Sequence, residues 1–192
     1  KPGCIYLAGL DSVLAWAGAG AGMARRRGRE LRTALGITTV SNSENAVPTL
    51  NLVGAGRVAQ TLASLWRAHN IFSLQDVLTT SLPSAQAACG VIGAGQPVSE
   101  MQAMRNADVW MLAVPDAQLA ACAQALAAAC TKSGTTTGAA PALPPIAFHC
   151  SGAQGAATLA PLAAMGWHVA SAHCILSFAS VPSAIQQFPG TP

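Results

Sequence analysis

Charge is scarce in this chain, with Lys, Arg, Asp and Glu making up 9% of its 192 residues, and aromatic residues are scarcer still at 5%. The net charge of +3 owes much to one local cluster, Arg25, Arg26, Arg27, Arg29 and Arg32. No basic surface is spread along the sequence, which argues against nucleic-acid binding. The six cysteines, at positions 4, 89, 122, 130, 150 and 174, form no C-x-x-C pair and no zinc-finger spacing. Reduced, mostly buried thiols in a cytoplasmic protein are therefore expected, with no metal site. Long uninterrupted apolar runs are missing too. The weakly apolar stretch from Ile5 to Ala24 carries Asp11 at mid-span, a costly residue in a membrane helix, so no membrane association is expected. Residues 1–47 read as a loosely ordered extension, with a transit peptide as an alternative there.

Alanine and glycine are abundant, and such small residues suit close packing of helices on a sheet. The most informative stretch is Leu50-Asn51-Leu52-Val53-Gly54-Ala55-Gly56-Arg57-Val58-Ala59. A short apolar run enters a G-x-G-x-x-A turn and leaves into a helical pattern, Thr61-Leu62-Ala63-Ser64-Leu65-Trp66. Gly54 permits the tight turn, and Gly56 removes a side chain that would hold the backbone away from a pyrophosphate. Ala59 allows close helix–strand packing, and the helix N-terminus offers free N–H donors to an anion.

From there apolar runs alternate with helical segments, which predicts βαβ units and an α/β fold with a Rossmann-like doubly wound parallel sheet. Strands are expected at about 50–53, 76–80, 107–114, 146–149 and 167–173, the third stopped by Pro115. Helices are expected at about 57–68, 84–90, 100–105 and 117–129, the last capped by Asp116. Residues 131–145 read as a Thr/Gly/Ala/Pro loop, and Ser151-Gly152-Ala153-Gln154 as a capping box opening a helix to about Met165. The dinucleotide-binding unit is thus expected over 48–178, with 179–192 a tail.

These segments, in order, resemble an uncharacterised family of Rossmann-like NAD(P)-binding oxidoreductases with a helical C-terminal domain of unknown function. That family is distantly related to pyrroline-5-carboxylate reductase and the hydroxyacid dehydrogenases. The matching pieces are Gly54-Ala55-Gly56-Arg57-Val58, Ala113-Val114-Pro115-Asp116, His149-Cys150-Ser151-Gly152-Ala153, and His173 with Ser177-Phe178. Two departures stand out. Cys174 occupies the place where the family usually has proline, and the helical domain is expected to lie outside this chain, together with any homodimer formed through it.

In an open parallel sheet, ligands bind beyond the carboxyl ends of the strands where strand order reverses. Gly54, Thr80, Pro115, His149 and His173 fall at such ends. Val114 and Pro115 would floor the cofactor, and Asp116 would reach a ribose hydroxyl or simply cap its helix. Ser151 is a hydroxyl for the carboxamide or substrate, or likewise only a cap. His149 and His173 are candidate general acids, or core histidines held by backbone carbonyls. Asp76 lies about the usual twenty residues past the glycines but at the start of its expected strand, leaving the tip at Thr79-Thr80-Ser81 free of acid. Thr80, Ser81 and Arg57 would then take a 2′-phosphate, so NADP is the expected cofactor and NAD the alternative. Two functions remain open. One is an oxidoreductase moving a hydride to or from a small carbonyl, imine or hydroxy compound; the other is a non-catalytic dinucleotide-binding sensor or subunit. The only lysines are Lys1 and Lys132, so the lysine acid of many hydroxyacid dehydrogenases has no obvious counterpart.

Overall fold

The computed structural model of the chain describes residues 5–6, 47–132 and 144–188. The strands are β1 (Ile5–Tyr6), β2 (Thr49–Val53), β3 (Ser73–Leu78), β4 (Gln96–Val98), β5 (Val109–Leu112), β6 (Ile146–His149) and β7 (His168–Ser171). The helices are α1 (Arg57–Ala68), α2 (Leu82–Ile92), α3 (Asp116–Lys132), α4 (Ala160–Ala163) and α5 (Val181–Gln187), with 3-10 turns at Met101–Ala103 and Ala156–Leu159. All strand pairings are parallel, in the order β1-β7-β6-β5-β2-β3-β4. From β2 the chain winds outward through β3 and β4, then returns to the other side of β2 for β5, β6 and β7. The expected doubly wound sheet is the observed one, with its reversal of direction between β2 and β5.

The period of two in the strands sorts their side chains between two apolar layers. Leu50, Leu52, Val77, Met111 and Phe148 pack with Leu62, Ala63 and Trp66 of α1, Ile92 of α2 and Phe188 after α5. Val53, Leu78, Trp110, Leu112 and Ala147 pack on the opposite face with Leu119, Ala123 and Leu126 of α3 and with Leu159 and Leu162. Ala59, Ala63, Ala88 and Ala123 are all buried, so the alanine content goes into bringing helix backbones close to the sheet.

Helix α1 and strand β6 coincide with their sequence-based limits, other elements shift at their ends, and the helix expected at 100–105 is only the 3-10 turn Met101–Ala103; four further regions differ more. Strand β3 begins at Ser73, which puts Asp76 in mid-strand. The side chain of Asn51 is fully buried in β2 and explains that register: its Nδ2 donates to Arg105 O at 2.6 Å, and its Oδ1 accepts from Asp76 N at 3.0 Å. The capping box at Ser151 opens no long helix; Pro161 and the short turn before it leave only a 3-10 turn and the four residues of α4. The tail expected from residue 179 instead supplies α5, whose Ala184 and following Phe188 are buried. The chain thus keeps contributing to the core layer of α1 past residue 178. Lastly, residues 5–6 of the expected extension form an edge strand beside β7. The remainder of 1–46, including the arginine cluster, and residues 133–143 of the expected loop lie outside the described residues.

Candidate functional site

Strand register aligns the carboxyl ends. Leu78, Val53, Leu112, His149 and Ser171 form one row across β3, β2, β5, β6 and β7. Each chain leaves the sheet at the next residue, and the ladder closes with Gly54 N donating to Leu78 O, Ala113 N to Val53 O and Ala172 N to His149 O at 2.7–2.9 Å. Above this edge lies a crevice of about 650 Å³, within the usual range for small-molecule sites. The turn Gly56-Arg57-Val58-Ala59 lines one wall, Val114 and Asp116 the floor and start of α3, Cys150 and Ser151 the opposite wall, and Ser177-Phe178-Ala179 closes it on a fourth side.

The two glycines of the turn do different things. Gly54 has φ +84°, and a Cβ there would sit 2.5 Å from Ala113 O, so it lets β2 turn under the neighbouring strand. Gly56 has ordinary extended backbone at the N-cap of α1 and nothing within 4 Å of its Cβ direction. It leaves open space over the first turn of a twelve-residue helix, whose leading N–H groups have no partner within the helix. The side chain of Gln60, which sequence reasoning did not single out, donates to Ala55 O at 2.7 Å and holds the turn closed. Arg57 Nη1 donates to Ala179 O at 2.9 Å, tying the glycine turn to the segment before α5. The sequence carried no signal for that contact across 122 positions.

Of the residues expected to hold a cofactor, Gly56, Arg57, Val58, Ala59, Val114 and Asp116 line the crevice. Gly54 supports the turn from below, and exposed Pro115 ends the strand beside it. Thr80 and Ser81 lie past the tip of β3, outside the crevice lining. Thr79 Oγ1 donates to Ser81 O, and Ser81 Oγ accepts from Ser84 N, capping α2. Thr80 is exposed. Asp116 is the first residue of α3 rather than its cap. Asp76 is 1% exposed and grips Arg105, its Oδ2 accepting from Arg105 N at 2.6 Å and its Oδ1 meeting Nη2 at 2.5 Å. That carboxylate is committed within the sheet and is not at the tip.

Of the three catalytic candidates, His149 and Ser151 line the crevice and His173 does not. His149 is fully buried; its Nδ1 accepts from Ser151 N and its Nε2 faces Gly155 O, both at 3.2 Å. This arrangement requires the neutral ring with its proton on Nε2, where it donates to the carbonyl. Burial lowers the His149 pKa, opposed by the Gly155 carbonyl and by Asp116. The ring therefore shapes the 150–155 loop. Ser151 Oγ accepts from Ala153 N and Gln154 N, a local loop cap that leaves its proton available to the crevice. His173 is exposed and outside the crevice lining, with Nδ1 at 3.4 Å from Cys150 O and its ring over Gly152, where a Cβ would come within 2.6 Å of Cε1.

A pH dependence follows for His149. The native ring resists protonation while the unfolded chain accepts a proton near the ordinary value of 6.5, so the native state binds fewer protons below that pH. Its contribution to stability is complete above about 6.5 and is lost as pH falls further toward the depressed native pKa. Thermal melts from pH 8 to 5 are expected to show this decline, and His149→Asn to flatten that part of it. An unchanged slope in the variant would assign the acid sensitivity elsewhere.

Strand order defines a doubly wound α/β protein, with the crevice at the reversal point. Residues 36–174 match the Rossmann-like domain family, and the chain belongs to that family. No curated protein matches it. Among solved structures, it is similar to a conserved hypothetical protein from Sinorhizobium meliloti, with 18% identity and TM-score 0.48 over 72% of this chain and 44% of that one. It is similar to the WlbA dehydrogenase of Bordetella pertussis, solved with NADH and UDP-GlcNAcA, with 22% identity and TM-score 0.45 over 64% of this chain and 35% of that one. Quinate dehydrogenase of Corynebacterium glutamicum, solved with NAD, gives 18% identity and TM-score 0.42 over 73% of this chain and 47% of that one. The chain spans less than half the length of these structures.

Proposed function

We propose that the chain is the dinucleotide-binding part of an NAD(P)-dependent oxidoreductase acting on a small carbonyl, imine or hydroxy compound. The open first turn of α1 above Gly56, at the sheet's reversal point, carries the reading. There the N–H groups of 57–59 would receive the pyrophosphate, and the helix dipole would favour its charge. Val114 would underlie the nicotinamide half, and Asp116 and Ser151 would offer an acceptor and a donor at the floor and far wall. The nicotinamide supplies a hydride when bound; this chain's residues position it and shield one side of it. Ser177–Ala179 narrows the opening, held by Arg57.

Preference for NADP over NAD is part of the proposal. The tip of β3 carries hydroxyls and no acid, Asp76 is held by Arg105, and Arg57 retains donors beyond the one on Ala179. Titration with NADPH and NADH by fluorescence or calorimetry is expected to favour NADPH by about tenfold, or roughly 1.4 kcal/mol. Equal affinity or a preference for NADH overturns the NADP assignment, and binding of neither overturns the dinucleotide reading. A cytoplasmic location is proposed with it, consistent with five free cysteines among the described residues, where no helix is long and apolar enough to cross a membrane.

A second reading, a dinucleotide-binding sensor or subunit without hydride chemistry of its own, is favoured by the histidines. His149 has both ring nitrogens occupied and His173 lies off the crevice. Oxidation of NADPH by this chain, assayed with small keto acids, aldehydes and cyclic imines, decides between the two. Turnover lost in Ser151→Ala supports the oxidoreductase, and binding without turnover supports the sensor.

A further inference from the structure

Two cysteines that the dinucleotide reading does not use meet at the edge of the crevice. Cys150 follows β6 directly, and Cys174 lies three residues beyond β7, its parallel neighbour. The connections are short and fixed: Ala172 N donates to His149 O at 2.9 Å, and His173 packs over Gly152 with Nδ1 near Cys150 O. Both belong to the same apolar layer, Cys174 buried within it and Cys150 packed against it. The Cys150 thiol donates its hydrogen bond to the Cys174 sulfur. Cys150 also lines the crevice between His149 and Ser151, which opens this member of the pair to small solutes.

We propose that Cys150 and Cys174 are a redox-active dithiol that closes to a disulfide when the protein meets a hydroperoxide. One thiol of the pair, as its thiolate, takes one peroxide oxygen; an S–O bond forms, the O–O bond breaks, and the departing hydroxide takes up a proton to leave as water. That cysteine is then a sulfenic acid. The other sulfur of the pair, giving up its proton, attacks it; the S–S bond forms, the S–O bond breaks, and a second water leaves. Two thiols have lost two electrons and two hydrogens, and one hydrogen peroxide has become two waters. The product joins the loop after β6 to the segment after β7, fixing the wall that bears Ser151. The other described cysteines are not placed for this: Cys89 lies in α2, and Cys122 and Cys130 lie in α3, where burial raises their pKa, Cys122 to about 11.

The full chain is treated with a stoichiometric excess of hydrogen peroxide, and its thiols are counted after denaturation with and without prior reduction. The expected result is loss of two of the six thiols, restored by dithiothreitol, with peptide mapping placing the bond between 150 and 174. Dimedone labelling of Cys150→Ser and Cys174→Ser is expected to trap a sulfenate on the remaining cysteine of the pair in at least one variant. A disulfide between any other pair, or no reversible thiol loss in the native protein, overturns the proposal. Because mapping on the unsubstituted protein needs no variant and no dinucleotide, its outcome is separate from that of the cofactor titrations.

Discussion

Gly56→Val is expected to weaken dinucleotide binding by at least a hundredfold, about 2.7 kcal/mol, while costing the fold no more than about 1 kcal/mol. The backbone at Gly56 is extended and its Cβ direction is empty, so a branched side chain meets no protein atom there and stands where a pyrophosphate would approach. Gly54→Ala is expected to behave in the opposite way. Its φ of +84° and the contact with Ala113 O at 2.5 Å force both a left-handed alanine and a backbone shift, for a loss of about 3 kcal/mol or more. Chemical denaturation of both variants, with NADPH titration of Gly56→Val, checks the pair. A Gly56→Val protein that still binds normally would remove the glycine turn from the site.

Asp76→Ala is expected to destabilise the fold by about 3 kcal/mol, because two short hydrogen bonds to a buried carboxylate are lost together. Arg105 N loses its acceptor, and the guanidinium, 46% exposed, returns to water. Asn51, bonded to both residues, keeps its contacts with Arg105 O and Asp76 N. Urea unfolding measures the loss. Affinity for NADH measured on the folded fraction is expected to stay within a factor of two. A selective fall in NADH affinity with little change in stability would identify Asp76 as the ribose ligand after all, and would reverse the assigned preference for NADP.

The contrast between these residues shows what the sequence could convey. The glycine turn, α1 and β6 were legible because each depends on neighbours in the chain: a period of two or 3.6, a turn residue, a break at the end. Asp76 was misplaced within its strand because its register is set by Asn51 and Arg105, 25 and 29 positions away. Ser151 read as a helix start since its hydroxyl does accept from the backbone two and three residues on. That local bond is common to helix caps and to loops, and only Pro161 and the packing of Leu159 and Leu162 decide which follows. The histidines were found in position, with their role left open between general acid and core histidine held by a backbone carbonyl. Nothing near His149 in sequence announces that Gly155 O and Ser151 N will occupy both of its nitrogens.

The bond from Arg57 to Ala179 joins the beginning of the ligand cleft to the last turn of chain before α5. During synthesis the glycine turn emerges some 122 residues ahead of the segment that walls it, so the cleft stays one wall short until nearly all of the sheet has assembled. A chain that has not yet reached Ala179 lacks the wall that this bond holds against the glycine turn.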